Sequence, residues 1–154
     1  MTMGQQQLLL IALSVLIVGA AVAVGVNMFN QGSQKASADK FYQQASVIAS
    51  EFGAMYRSPV SMGGYGDTLL TAQVPTKAEL AQMTSIALNS TQAQQGEIYL
   101  GSTSPSLEQN IDSDGDGTAD VAGLQIELTD GTLSATFQAG GDGKAYWDRT
   151  GCSR

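Results

Sequence analysis

The chain has 154 residues, a net charge of −7 and 43% apolar residues, room for one ordinary domain plus one long apolar segment. It has no histidine and one cysteine, Cys152, which excludes the usual general base, the commonest nitrogen ligand for a metal and any internal disulfide. Its seven basic residues are scattered and form no phosphate-neutralising stripe, so nucleic acid is not an expected partner.

The first element is GQQQLLLIALSVLIVGAAVAVGVNMF. Leu8 to Phe29 carries no charge and, as a helix, is long enough to cross a hydrocarbon core of about 30 Å. A secretory signal has a basic front end and a shorter apolar stretch, whereas no Lys or Arg precedes Lys35; Ala21-Val22-Ala23 alone resembles a cleavage motif. Small residues (Ala12, Ser14, Gly19, Ala20, Ala21, Ala23 and Gly25) cluster within the run, and side chains this small let helix backbones approach closely.

Beyond Asn30 the pattern changes from apolar throughout to amphipathic. Phe41, Ala45, Ile48, Phe52 and Met55 fall on one helical stripe, with Lys40, Gln43, Gln44, Ser50 and Glu51 opposite. No proline occurs before Pro59, so one helix over 1–56 is expected, loosened at Gly19, Gly25 or Gly32 and about 75 Å long at 1.5 Å per residue.

The head is expected over 57–154. A turn-rich loop precedes a short helix over 76–89, opened by a Thr76/Glu79 capping box, with Leu80, Met83 and Ala87 facing the core. Asn89-Ser90-Thr91 is a glycosylation sequon. A four-stranded antiparallel sheet follows: EIYL at 97–100, the two arms of LQIELTDGTLSATF, and AYWD at 145–148. Asp130-Gly131 predicts a two-residue hairpin turn. It pairs Leu128 with Leu133, Ile126 with Ala135 and Leu124 with Phe137 on an apolar face. Thr129 with Thr132, Glu127 with Ser134 and Gln125 with Thr136 form the polar face. The amphipathic half of the long helix is the natural cover for the apolar face, giving an α+β fold.

Half of the acidic residues (Glu108, Asp112, Asp114, Asp116, Asp120, Glu127 and Asp130) lie in a window without Lys or Arg. Within it, over 110–120, Asp112, Asp114 and Asp116 alternate, Gly117 permits a sharp turn, Thr118 offers a carbonyl and Asp120 closes the run. Oxygen ligands at these spacings suit calcium, because crowded carboxylates repel one another unless a divalent charge sits among them. Gly123 stands where an EF-hand has its bidentate glutamate, and Asn110, Glu108 or Glu127 remains to complete the shell. The expected role of the ion is structural, tying a long loop to the sheet. No catalytic residues are expected; Tyr65, Asp67, Trp147 and Asp148 could line a pocket but include no nucleophile–base pair, so the chain is not read as an enzyme.

The whole plan resembles a type IV pilin, and at the level of motifs the resemblance rests on the first 25 residues. Met1, Thr2 and Met3 fit the opening of a mature pilin, but Gln5 stands where the family has a glutamate that pairs with a neighbouring subunit's N-terminal amine. A second frame makes Gly4 the last leader residue and puts Leu9 in fifth place. The resemblance implies a subunit anchored in the inner membrane and then extracted by pilus assembly machinery into an extracellular, self-associating helical filament. Residues 8–29 would form its membrane or filament-core segment. Lys35 and Lys40 on the exported side run against the positive-inside bias. Two alternatives are a type II secretion pseudopilin and a monomeric membrane-anchored calcium-binding or adhesion domain.

Overall fold

The computed structural model describes residues 3–70, 73–112, 114 and 116–147, with Asn110 described by its backbone alone. Met1 and Thr2 of the pilin-like opening, Asp148 and Cys152 lie outside the described residues. The fold is α+β: a long apolar N-terminal helix and a small antiparallel sheet. The chain forms two compact units, Met1–Lys40 and Phe41–Arg154.

Helix α1 runs Met3–Arg57 without interruption, so the expected loosening at Gly19, Gly25 or Gly32 does not occur. The Ser14 hydroxyl donates to the Leu10 carbonyl at 2.7 Å, which satisfies the polar group within the apolar run. The boundary between the two units falls within α1, whose residues from Phe41 onward are part of the globular unit.

In that unit Phe41, Ala45, Ile48, Ala49, Phe52 and Gly53 are buried and Met55 is half-buried, so the predicted stripe does face the core. Helix α1 ends where the following loop folds back on it. Tyr65 and Asp67 donate their N–H groups to the Met55 and Tyr56 carbonyls at 3.2 and 2.9 Å, satisfying acceptors that a helix end leaves open. The Tyr56 hydroxyl in turn donates to the Asp67 carbonyl at 2.8 Å. Helix α2 spans Lys77–Thr84 behind the predicted capping box, in which both Thr76 and Glu79 bonds form. It stops five residues short of the expected 89, because Ser85 turns left-handed (φ 52°) and sends Ile86 into the core.

The sheet contains β1 (Tyr99–Leu100), β2 (Ser106–Ile111), β3 (Val121–Thr129), β4 (Ser134–Gly140) and β5 (Ala145–Trp147), five strands where four were expected. The extra strand adds no row. β4 takes one edge of β3, while β1 and β2 lie end to end along the other. Six residues on from Leu100 along that broken row correspond to three along β3, so residues near Ser102 and Thr103 loop out. SLEQNI offers only Leu107 and Ile111 as apolar residues, too few to mark a strand in sequence; backbone pairing to β3, with Ile111 buried, recruits it.

The β3–β4 hairpin differs from the predicted register by two residues: Leu128 pairs with Ala135, Ile126 with Phe137 and Leu124 with Ala139. The turn is longer because the Asp130 carboxylate accepts the N–H groups of Thr132 and Leu133 at 2.9 and 2.8 Å. Only Gly131 of the two turn residues takes positive φ. A two-residue slip preserves which side chains share a face. Leu124, Ile126, Leu128, Ala135, Phe137 and Ala139 therefore still form one buried face, while Leu133 leaves it for the turn.

The second half of α1 covers this face. Phe52 joins the same core as Phe137, Leu124 and Ile126, and Trp147 stacks edge-on to Tyr42 at 4.6 Å between centroids. The β4–β5 turn comes so close that a Cβ on Gly53 would overlap the Gly143 backbone, which explains a glycine inside a helix.

Candidate functional site

The first candidate is the uncovered part of α1. From Met3 to Ala36 every described residue is exposed, including fifteen large apolar side chains between Met3 and Phe29. At about 1.5 kcal/mol or more per buried side chain, keeping them from water is worth on the order of 20 kcal/mol. Among the described residues 3–36 no side chain is buried. By length and composition this helix can cross a membrane, which fits an anchor or a signal equally. A Cβ on Gly19, Gly25 or Gly32 would meet nothing within 4 Å, so packing inside this chain does not require those glycines. The first turn of α1 holds no acidic residue, and Gln5 there is exposed and neutral.

The second candidate is the loop joining β2 to β3. The Asp120 N–H donates to the Ile111 carbonyl at 3.0 Å and closes its base. A register shift between Glu108 and Ile111 bends β2 just before it. Alternation then sets the loop's hydrogen bonding. Asp112 accepts the N–H of Gly117 at 2.8 Å, Asp114 that of Asp116 at 3.1 Å, and Asp116 that of Thr118 at 2.7 Å. Gly117 takes φ +89°, the reversal expected of it. Carboxylate oxygens of Asp112, Asp114 and Asp116 all lie within 4.8 Å of one another, and Asp114 and Asp116 are exposed.

Three of the predicted ligands therefore converge, and Thr118 follows them directly. Asp120 sits at the loop base and is not part of the converging group. Each clustered carboxylate keeps acceptor capacity beyond its backbone bond, and an all-oxygen donor set suits a hard cation.

Glu127, a candidate to complete that shell, has a different task. It lies six residues along β3 from Val121, roughly 20 Å away at about 3.3 Å per residue. Its carboxylate accepts the Thr103 N–H at 2.9 Å and the Ser102 hydroxyl at 3.5 Å, holding the segment that interrupts the edge row. The Thr103 hydrogen bonds hold its carboxyl below the usual range, against the opposing effect of burial. Glu108 is half-buried in β2, opposite Gly123, and the Asn110 side chain lies outside the described residues.

Of the residues considered for a pocket, Asp148 lies outside the described residues, and Tyr65 and Trp147 pack against different parts of α1. Tyr65 packs near Phe52 and Trp147 near Tyr42, about 15 Å apart by the helical rise between Tyr42 and Phe52. A cleft of about 420 Å³ does lie beside Tyr65, lined by Met55, Gln73, Val74, Glu79 and Met83. Burial, then the Glu79 charge, pushes the Tyr65 hydroxyl up, while the Thr76 hydrogen bonds hold Glu79 low in its capping box. Comparison with protein-family models, curated proteins and solved structures finds no match to this chain.

Proposed function

We propose that this chain is the structural subunit of an extracellular, type IV pilus-like filament, anchored in the inner membrane before assembly machinery extracts it. The observation that carries the reading is the division of α1. Its amphipathic part is covered by the chain's own sheet, while the described residues of its uniformly apolar part are all exposed. Lipid covers such a segment first, and copies of itself afterwards. The unrequired glycines support the second step, because small residues let like helices approach. A neutral Gln5 offers an incoming amine a hydrogen bond in place of a charge pair. Assembly by this reading therefore depends on packing more than on that contact.

In the same reading calcium occupies the β2–β3 loop, held by Asp112, Asp114 and Asp116, with Thr118 and Asp120 as the remaining ligands. The three converging carboxylates are what support it. The ion's task is to neutralise the loop and raise head stability. Binding at 100 times its dissociation constant adds about 2.7 kcal/mol. We expect the melting temperature of the detergent-solubilised chain to rise with calcium and fall with chelator, and Asp114→Asn to abolish the difference. Identical melts in both conditions sink the calcium assignment.

Electron microscopy of material sheared from the cell surface tests the filament itself, with the chain identified by mass spectrometry. Uniform thin fibres made of this chain are the expected result. Recovery only from detergent-solubilised membranes would overturn it in favour of a type II secretion pseudopilin or an anchored monomeric binding domain.

A further inference from the structure

The link between α2 and β1 carries a feature that neither the helix nor the acidic loop uses. Asn89-Ser90-Thr91 is the one N-x-[ST] triplet in the sequence, and all three residues are exposed. We propose that Asn89 is an N-glycosylation site. This rests on the part of the filament reading that puts the head outside the membrane.

Local geometry presents the carboxamide by one end. Asn89 Oδ1 accepts the N–H groups of Thr91 and Gln92, both at 3.1 Å. The Asn89 carbonyl accepts from Gln92 and Ala93, also at 3.1 Å, so the backbone under the side chain is pinned as well. With Oδ1 turned onto the chain, Nδ2 is the outward atom. Residues 89–97 contribute nothing to the buried core, so a bulky substituent there displaces no packed side chain. The same stretch is almost wholly polar, QAQQGE following the triplet, and a hydrated glycan meets no apolar surface in it.

The donor required is a sugar linked through its anomeric carbon to an isoprenoid-lipid phosphate. Nδ2 attacks that carbon, the new C–N bond replaces the C–O bond to phosphate, and the lipid phosphate leaves. Nδ2 gives up one proton, and no oxidation or reduction is involved. The Thr91 hydroxyl is the group that a sequon-reading transferase requires.

The test is mass spectrometry of the full chain recovered from the surface of its own cells and cleaved after glutamate. This releases Leu80–Glu97 with Asn89 as its one asparagine. We expect that peptide to weigh more than its sequence by one or more sugar residues located on Asn89. Thr91→Ala should return it to sequence mass, and Thr91→Ser should retain the sugar. An unmodified wild-type peptide overturns the proposal, as does sugar that persists in Thr91→Ala. Microscopy of the same preparation separates the two readings. Fibres built from chains with bare Asn89 remove the glycan and leave the filament, whereas a glycosylated chain without fibres does the reverse.

Discussion

Two stretches of one helix show how little hydrophobicity alone says about burial. Ile17 is 58% exposed and Phe29 77%, while Ile48 and Phe52 are both fully buried. The side chains are alike in kind; the difference is what surrounds them in sequence. Polar residues opposite the 41–55 stripe give that stretch a direction, and the sheet supplies a face for it. Residues 8–29 are apolar all round, so no single face of one small domain could cover them. Burying such a stretch takes cover on every side and not on one face.

Paired substitutions break that comparison most directly. Phe52→Ala should cost the head about 3–5 kcal/mol through the cavity it leaves. Leu16→Ala should leave the head's thermal or denaturant melt within about 0.5 kcal/mol. If both variants melt alike, the two stretches are not energetically separate. Leu16→Arg probes the other side: a charge at mid-helix costs about 3 kcal/mol of membrane insertion. Fractionation should show less chain in membranes and few or no fibres, with head stability retained.

A smaller effect sharpens the covered half. Gly53→Ala should destabilise by about 1–3 kcal/mol, since the β4–β5 backbone must move to admit the methyl group, whereas Gly19→Ala should leave the melt unchanged. Smallest is the acid response of Glu127. Its folded-state pKa lies below the ordinary value of 4.5, so its contribution is complete above that range and is lost as pH falls through the lowered value. For a carboxylate this exposed, screening leaves on the order of 0.5 kcal/mol. Denaturant melts of Glu127→Gln should therefore match wild type more closely at pH 3 than at pH 7.

Much of this was legible because two periodicities are strong. The 41–55 stripe and the alternation through 124–137 each name their buried faces, and the capping box names the start of α2. The hairpin shows why register is harder than face. Asp130-Gly131 reads as a tight turn, yet the Asp130 side chain can bond two N–H groups further along and lengthen it. Parity survived because the slip was even. Strand β2 had only a weak hydrophobic signature, since Leu107 and Ile111 alone of its six residues are apolar and the rest joins through backbone pairing. In the acidic loop, alternation of aspartates foretold the convergence of Asp112, Asp114 and Asp116. The separate role of Glu127 depends on a loop excursion that spacing does not encode.

That excursion has a consequence for crowding. A long, flat sheet margin is a template on which another chain can add a strand, and subunits held side by side at a surface meet one another constantly. Here one margin is broken between Leu100 and Ser106 and bent again before the acidic loop, and the other is the three-residue β5. Among the described residues neither offers the unbroken run of open amides and carbonyls that cross-β aggregation needs. On the proposed filament reading, heads of this kind can be crowded without knitting together through their sheets, which leaves association to the helices.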